Sequence, residues 1–421
     1  MSTQDTKRAY TDYSFLDRQV QSDPYEFYDA LHHQCPVYEM PETGMFMVTK
    51  YDDLRQVLKD TETFSSSARG AASGGLQPPG MAELYHKTLA ERGWSHIDTL
   101  QRTDPPEHSR YRRLLDRVFT GKRVRDMVPY IDAMADELID KVIDQGEMEF
   151  INEFAMPMPG VIIAEQLGLD RENVATFKKW ADAMLAIATI PMNEEQILET
   201  VETELEAQHF LAKEFEARRE NPTDDLISGM VHAHYEDEEP LNMHELQNLM
   251  HQLITGGYET TQSAIAHAMW LLVRQPELQD QLRGNPANIK AFIEESLRWE
   301  SPVQGLGRIT TKETELNGTT IPAGRPVIVR FGAANRDEDM FACPHQFDLD
   351  RKNAGAHMAF GSGAHFCVGA MLARQEMASS LSRILDRMEN IRLAKPLPDP
   401  VHEPSLFFLP IAQMHLSFDK R

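Results

Sequence analysis

The sequence predicts a mainly α-helical protein with small β-sheets, organised as a single domain over residues 1–421. Apolar residues recur at helical spacing along most of the chain. Strand signals are confined to three short regions. Neither an internal repeat nor a long low-complexity linker divides the sequence, so nothing marks a second domain.

Charge and cysteine content predict a soluble, cytoplasmic protein. The 66 acidic and 42 basic residues leave a net charge of −24, which argues against nucleic acid or an anionic membrane as the main partner. The three cysteines are too few for a disulfide framework and suit a reducing compartment. The N-terminus is polar, and no apolar run reaches the length of a membrane span.

The strand signals predict two hairpins and a terminal ribbon. Asn317-Gly318 is a favoured two-residue turn between β-prone segments, and Glu42-Thr43-Gly44 separates a second pair. The predicted strands are Pro36–Met40, Met45–Lys50, Glu313–Leu316 and Thr319–Ile321, with an apolar ribbon in Ser405–Phe418.

Two long helices are predicted between the hairpins. The Ser-, Gly- and Pro-rich segment Ser65–Gly80 reads as a loop, and Asn193–Arg219 as a polar helix. The second helix runs from about Met243 to Arg274, with Asn242 and Glu245 in a capping box, and is roughly 45 Å long. Because its middle is apolar or small on nearly every side, we expect it to run through the core.

A glycine-rich segment places a cysteine directly before a helix. Phe360 to Gly369 reads F-G-S-G-A-H-F-C-V-G, and the helical run Ala370–Arg387 follows. A helix N-terminus favours the thiolate of Cys367, the form that binds metals, and the glycines would let a flat group approach the backbone. On these residues alone, two other interpretations stay open. They are a buried free cysteine in a turn, or a zinc site with His357, His365, Cys367 and Cys343.

The middle of the long helix reads Gly256-Gly257-Tyr258-Glu259-Thr260-Thr261. Two glycines cost a helix about 1 kcal/mol each relative to alanine, so they require a reason. Thr260 lies on the same face as Gly256 and could bond its carbonyl, which would open a groove. Glu259 supplies a titratable group in an apolar stretch. The other interpretation is a site where two helices pack closely.

The cysteine segment resembles the haem-binding loop of the cytochrome P450 family at every fixed position, F-G-x-G-x-H-x-C-x-G. The helix motif resembles the family's oxygen-binding helix, and further motifs follow in the family's order over essentially the whole chain. The resemblance implies the cytochrome P450 fold, with a long central helix over haem b and Cys367 as the axial ligand of its iron. It implies that Thr260 hydrogen-bonds dioxygen or the water beside it and that Glu259 relays protons. Other residues implied in the haem site are Gly256, Phe360, Gly361 and Gly369.

The resemblance also assigns groups to the haem propionates. His108 and Arg112 lie one turn apart on the helix that Asp104-Pro105-Pro106 opens. With Arg308 and His365 they would contact the propionates, because arginine forms charge-assisted bonds with carboxylates. Taken alone, His108 and Arg112 would equally suit an ordinary basic helix face.

Glu295 and Arg298 lie three residues apart, which by itself indicates a surface ion pair. In the family, this E-x-x-R pair forms a structural lock with an arginine from a later meander, which segments 335–337 and 347–351 resemble. We therefore expect Glu295, Arg298 and Arg336 to serve folding and haem retention rather than the reaction.

One helix reverses the acidic character of the chain. Seven basic residues and one acid lie between Arg110 and Arg125. Such a run is often only a solvated face. The resemblance places it on the thiolate side of the haem, so we expect it to dock an acidic ferredoxin that works with a separate ferredoxin reductase, with no fused reductase in this chain. The docking candidates are Arg110, Arg113, Arg117, Lys122 and Arg123.

By the same resemblance, the substrate contacts fall at mostly apolar positions. An apolar molecule with one or two oxygen functions fits them: a terpenoid, steroid, fatty acid or aromatic compound. The pocket candidates are Leu76, Ile187, Thr255, Leu306, Phe407 and Phe408.

These inferences predict a monooxygenase that inserts one oxygen atom from O2 into such a molecule. Two alternatives stay open. The first keeps the fold but uses peroxide-driven or coupling chemistry, which the intact Glu259–Thr260 pair disfavours. The second is a haem sensor or carrier without turnover, in which the basic docking helix would have no purpose.

Overall fold

The computed structural model describes residues 8–67, 77–168, 174–189, 191–234, 239–398 and 401–421, and these are mainly helical. Among the described helices, none has both the length and the apolar character that a membrane span requires. The helices are α1 (Arg18–Ser22), α2 (Tyr25–Gln34), α3 (Tyr51–Lys59), α4 (Met81–Arg92), α5 (Glu107–Val118), α6 (Gly121–Asp140), α7 (Pro157–Gln166), α8 (Val174–Thr189), α9 (Glu194–Glu220), α10 (Leu226–Val231), α11 (Met243–Gly257), α12 (Glu259–Arg274), α13 (Glu277–Gly284), α14 (Asn288–Trp299), α15 (Phe331–Ala334) and α16 (Ala370–Arg387).

The strands of the described ranges form small sheets. The strands are β1 (Val37–Glu39), β2 (Phe46–Val48), β3 (Phe64–Ser65), β4 (Glu147–Glu149), β5 (Gly305–Thr310), β6 (Thr314–Leu316), β7 (Thr319–Ile321), β8 (Pro326–Arg330), β9 (Met388–Leu393) and β10 (His415–Lys420). The largest sheet has the strand order β1-β2-β8-β5-β3, in which β2 and β8 run parallel. A second sheet has the order β4-β10-β9, and β6 and β7 form a separate hairpin.

Both predicted hairpins are present. Strand β1 pairs antiparallel with β2, and β6 with β7. Between β6 and β7, Asn317 and Gly318 have φ angles of +49° and +74°, the left-handed values that a two-residue type I′ turn needs. Of the predicted terminal ribbon, His415–Lys420 is a strand in the middle of the second sheet.

Strands β5 and β8 of the largest sheet were not predicted. Residues 327–330 of β8 are all buried, and Val327, Ile328 and Val329 form a continuous apolar run. A short strand buried on both faces loses the polar–apolar alternation that identifies strands in a sequence. Such a run cannot be distinguished from a buried piece of helix by its period alone.

The predicted long helix starts and ends where expected but is interrupted near its middle. At its start, the Asn242 side chain accepts the Glu245 N–H at 3.1 Å, and the Glu245 carboxylate accepts the Asn242 N–H at 2.9 Å. Helical geometry is broken at Tyr258, which separates α11 from α12. The two halves belong to different apolar cores: α12 packs with α6, α14 and α16, and α11 with α5, α8 and α9. The Gly256–Thr261 motif therefore lies where these cores meet.

Candidate functional site

The loop before α16 follows a path that two glycines make possible. Gly361 and Gly363 have φ angles of +70° and +71°, which glycine adopts without strain. Space also restricts Gly363, because a Cβ there would lie 2.6 Å from the Leu58 carbonyl oxygen. A side chain at this position would push the loop away from α3 and displace the cysteine that follows.

Backbone and arginine contacts fix the position of Cys367. Its N–H donates to the Phe360 carbonyl at 2.9 Å, which closes the turn. The Arg112 guanidinium donates to the Phe366 carbonyl, one residue before the cysteine. Arg112 thus ties α5 to the cysteine loop.

The Cys367 thiol is accessible to solvent but closely surrounded by protein. Burial raises the pKa of this thiol, while the Gly369 and Ala370 backbone N–H groups and the Arg112 charge act to lower it. The N–H groups expected at the helix start therefore do act on the sulfur, but burial outweighs them. A thiolate at this position would therefore need a further positive charge beside it to be stable.

At the junction of α11 and α12, the two adjacent glycines have different surroundings. The Thr260 hydroxyl donates to the Gly256 carbonyl at 2.6 Å, as the spacing predicts. A Cβ on Gly256 would meet no atom within 4 Å, whereas a Cβ on Gly257 would lie 2.5 Å from the Ile163 side chain. Gly257 therefore permits the close packing of α7, and Gly256 faces open space.

Glu259 is half-buried beside an ion pair of α8. Burial and the Asp182 carboxylate raise the pKa of Glu259, and Lys178 opposes them. Lys178 itself donates to the Asp182 carboxylate. The acid predicted to relay protons is thus connected electrostatically to charged groups on the neighbouring helix, which the sequence did not indicate.

Cationic and imidazole groups converge on one buried region. His108 is 3% exposed, and its ring centroid lies 4.2 Å from that of His365. The Ser66 hydroxyl lies 3.1 Å from Nε2 of His365. Burial lowers the pKa of His365 to about 3 and that of the Arg308 guanidinium to about 10.

Arg308 is the clearest sign that this region receives an anion. Its side chain is buried, and it donates to the Gly307 carbonyl at 2.8 Å. It forms no ion pair with a carboxylate of the described ranges; the nearest electrostatic influence comes from Asp104. Because a buried guanidinium is stabilised by paired carboxylates, the donor set of Arg308, His108, His365 and Arg112 suits carboxylate groups of a ligand.

The structure shows which meander arginine bonds Glu295. Glu295 and Arg298 are fully buried and joined by two hydrogen bonds of 2.7 and 2.8 Å. The meander arginine that bonds Glu295 is Arg351, at 3.0 and 3.1 Å. Arg336 instead donates to the Trp299 carbonyl at 2.7 Å and stacks over the Tyr25 ring. Both arginines fall in the predicted meander segments, and the sequence alone gave no reason to prefer Arg351.

The predicted docking residues separate into two groups. Arg110 donates to the Glu245 carboxylate at 2.6 Å, and Arg123 to Gln166 at 2.9 Å, so both are engaged within the fold. The other three, Arg113, Arg117 and Lys122, are exposed, although Arg117 also donates to the His234 carbonyl at 3.0 Å and Lys122 to the Asp126 carboxylate at 2.6 Å. They lie on α5 and α6, and α5 is the helix that contacts the cysteine loop.

The predicted pocket residues pack against several apolar clusters. Ile187 joins the cluster of α4 and α9, whereas Leu306 joins that of the largest sheet. Phe407 packs with an N-terminal cluster, and Phe408 forms a bridge to Val303. The Thr255 hydroxyl donates to the His251 carbonyl at 2.8 Å. Leu76 lies outside the described residues.

A feature that the sequence did not indicate fastens the chain between α4 and α5. Three amide side chains of α9 and α11 each form two hydrogen bonds with the backbone of this segment. Gln208 of α9 bonds Trp94 twice. On α11, Asn248 bonds Ser95 and Ile97, and Gln252 bonds Thr99 and Gln101. The six bonds measure 2.8 to 3.3 Å. We call this set of contacts the amide ladder; it joins residues 94–101 to α9 and α11.

Comparisons with known proteins agree with this geometry. The family model described as Cytochrome P450 matches residues 14–418. Cytochrome P450 107B1 of Saccharopolyspora erythraea is 32% identical over 356 residues, which cover 83% of this chain and 83% of that protein. Steroid C26-monooxygenase of Mycobacterium tuberculosis is 36% identical over 290 residues, 69% of this chain and 77% of that protein. The solved structure of cytochrome P450 CYP109Q5 from Chondromyces apiculatus has a TM-score of 0.85 at 30% identity and covers 97% of this chain and 98% of its own.

Proposed function

Because the chain belongs to the cytochrome P450 family and is a monooxygenase of that family, we propose that it inserts one oxygen atom from O2 into an apolar small molecule, with electrons from an acidic ferredoxin and its reductase. Members of the family use a haem-iron cofactor, dioxygen and small-molecule substrates. The substrate is a terpenoid, steroid, fatty acid or aromatic compound. The name of the Mycobacterium tuberculosis relative makes steroids the first compounds to test.

The residues of the site suit a haem group, for which we propose haem b. Cys367 would hold its iron through the thiolate, since the residue is exposed and burial of the sulfur disfavours a thiolate without a cation beside it. The buried Arg308, with His108, Arg112 and His365, would bind its propionate carboxylates. Haem iron, when bound, supplies the activation of dioxygen that permits oxygen insertion.

Glu259 and Thr260 deliver protons to the site. The reaction consumes two electrons and two protons, places one oxygen atom in the substrate and releases the other as water. Burial keeps Glu259 protonated at a higher pH than an exposed glutamate, so it can donate a proton and recover one through the charged pair on α8. Because the Thr260 hydroxyl donates its proton to the Gly256 carbonyl, its oxygen is oriented to accept a hydrogen bond in the opened part of the helix.

Electrons enter through the basic side of the molecule. Arg113, Arg117 and Lys122 form an exposed positive patch in a chain of net charge −24. Such a patch attracts an acidic protein and orients it toward the contact between α5 and the cysteine loop. An acidic ferredoxin is therefore the donor we expect.

The observation that carries this proposal is the opened helix at Tyr258, where Glu259 and the Thr260–Gly256 bond occur together. The first test is the spectrum of the reduced protein with carbon monoxide. A strongly red-shifted Soret band is expected, which Cys367→Ser abolishes. Cys343→Ser, at an exposed cysteine outside the site, is the matched control and keeps the band.

The second test follows the oxygen atom. With ferredoxin, reductase and ¹⁸O₂, we expect one ¹⁸O atom in the product of a steroid or terpenoid selected by its haem spin-state shift. Product formed equally well from peroxide without electron donors would favour the peroxide-driven alternative. Haem binding with no product across the four compound classes would favour a sensor or carrier.

A further inference from the structure

Three side chains of the types that bind metals meet at residues that the haem site described above does not use. His96 lies between α4 and α5, Glu204 on α9 and His251 on α11, and one ligand atom of each lies within 4.8 Å of the others. Nε2 of His96 lies 2.7 Å from the Glu204 carboxylate. The Tyr85 hydroxyl of α4 donates to the same carboxylate. Side chains from four separate parts of the fold thus meet at one interior point.

One of these ligand atoms lacks a hydrogen-bond partner. Nε2 of His251 is buried and has no donor or acceptor within bonding distance in the part of the chain that the structure describes. A buried polar atom without a partner is costly and calls for an explanation. A hydrogen bond with the Met184 backbone also acts on this ring, so Nε2 is the nitrogen that remains to bind an ion.

Two of these groups influence each other electrostatically. Although burial opposes ionisation, the contacts with His96, His251 and Tyr85 hold the pKa of Glu204 at about 2. Burial lowers the pKa of His251 to about 4, and the Arg102 charge contributes.

The position of His96 is fixed by its neighbours. The amide ladder bonds the Ser95 carbonyl and the Ile97 N–H to the Asn248 side chain, at 3.1 Å each. Asn248 lies on α11, less than one turn before His251. The backbone on both sides of His96 is therefore held to the same helix that carries His251, which keeps the two imidazoles close.

We propose that His96, Glu204 and His251 bind one divalent transition-metal ion, preferentially Zn²⁺, with water as a fourth ligand. Two imidazoles and one carboxylate are a common zinc ligand set. Zinc binds nitrogen and oxygen ligands at about 2.0–2.2 Å, so the ligand atoms around a tetrahedral zinc ion lie about 3.3 Å apart. Side-chain movements that shorten the present separations by roughly 1.5 Å or less would bring the three ligand atoms to that geometry. The ion would join α9, α11 and residues 94–101, which the amide ladder already connects.

A second histidine–glutamate cluster supplies a matched control. His267, Glu300 and His402 also come within 4.8 Å of one another. Both ring nitrogens of His267 already lie against backbone carbonyls, at 3.1 Å from Glu300 and 2.7 Å from Leu409. Because no lone pair of His267 is directed to the cluster, we expect this group not to bind metal.

The test measures zinc on the haem-loaded protein. Untagged enzyme is dialysed against Zn²⁺, its zinc and iron contents are determined by mass spectrometry, and its affinity is measured against a chromophoric chelator. We expect one high-affinity zinc per haem iron. His251→Gln and Glu204→Gln should each weaken that affinity by at least about tenfold, and His402→Gln should leave it unchanged.

Three further measurements separate metal binding from folding defects and identify the ligands. The Soret band and the thermal midpoint without zinc report whether each variant is folded. Zinc should raise the midpoint of the parent protein and of His402→Gln but not that of His251→Gln. X-ray absorption at the zinc edge should show nitrogen and oxygen ligands only. No bound zinc in the parent, or equal zinc affinity in folded His251→Gln, would overturn the proposal.

Discussion

At the scale of single residues, the site depends on groups whose surroundings change their ordinary chemistry. Arg308 is a buried cation without an ion pair among the described residues, and Glu259 is an acid whose pKa burial raises. Gly256 faces open space, whereas its neighbour Gly257 is packed against Ile163. The residue types were visible in the sequence, but these surroundings depend on residues distant in the chain.

Thr260→Ala should uncouple electron use from product formation. The variant loses the hydroxyl that donates to the Gly256 carbonyl at 2.6 Å, so proton delivery loses an oriented hydrogen-bond acceptor. Loss of one such hydrogen bond, about 1.4 kcal/mol, predicts a roughly tenfold lower ratio of product to NADPH consumed. The measurement is product, peroxide and NADPH in the same reaction. Thr88→Ala, which removes the same kind of bond to Leu84 on α4, should leave the ratio unchanged.

Glu259→Gln should slow turnover and remove a pH dependence. The raised pKa of Glu259 means that its protonated fraction falls only as the pH rises through that higher value, rather than near 4.5. Turnover of the parent should therefore decline over this range as the pH increases. The glutamine variant should be slower by on the order of 100-fold, the usual size of general acid catalysis, and should lack the decline. A parent and a variant with the same pH profile would contradict this role.

At the scale of elements, the lock around Glu295 illustrates the limit of sequence motifs. Glu295, Arg298 and both meander segments were predicted, but the arginine that completes the lock is Arg351 and not Arg336. The choice depends on the path of the meander, in which Arg351 also donates to the Ala342 carbonyl at 2.6 Å. The spacing of residues within the motif does not predict the path of the meander backbone, and so it does not predict which arginine reaches Glu295.

Arg351→Met should destabilise the protein strongly. The change leaves the fully buried Glu295 carboxylate without one of its two arginines, and breaking a buried ion pair costs about 3–5 kcal/mol. We expect a lower thermal midpoint and faster loss of haem. Lys352→Met, at the exposed neighbouring position, should change stability little. Equal midpoints for the two variants would show that Arg351 adds nothing to the lock.

Local signals were sufficient for the caps and the hairpins. The Asn242–Glu245 capping box, the Asn317-Gly318 turn and the helix Ala370–Arg387 each depend on residues adjacent in sequence, and each was predicted. Strands β5 and β8 were not, because their pairing partners lie far apart in the chain. The same distinction applies to the site, where the motifs were found and the amide ladder and the His96 cluster were not.

At the scale of the whole molecule, the charge distribution should control electron transfer. Double charge reversal, Arg113→Glu with Arg117→Glu, should slow reduction by an acidic ferredoxin roughly tenfold or more at low ionic strength, because electrostatic attraction raises association rates by 10- to 1,000-fold. High salt should reduce the difference, since it screens the parent's attraction. The measurement is stopped-flow reduction at several salt concentrations.

The matched control for that experiment lies elsewhere on the surface. Lys312→Glu with Lys395→Glu makes the same change in net charge at two other exposed positions. We expect it to leave the reduction rate and its salt dependence nearly unchanged. Equal slowing by both double variants would assign the effect to net charge rather than to the patch on α5 and α6.

The amide ladder sets the boundaries for exchanging parts between relatives. Residues 94–101 are bonded to Gln208, Asn248 and Gln252, so a donor segment of different length would misalign all three pairs at once. A chimaera that takes this segment should also take the matching faces of α9 and α11. The stretch before Gly93 is not independent either, because Tyr85 and Arg92 of α4 bond Glu204 and Glu202 of α9, so a chimaera that changes it should carry that face of α9 as well.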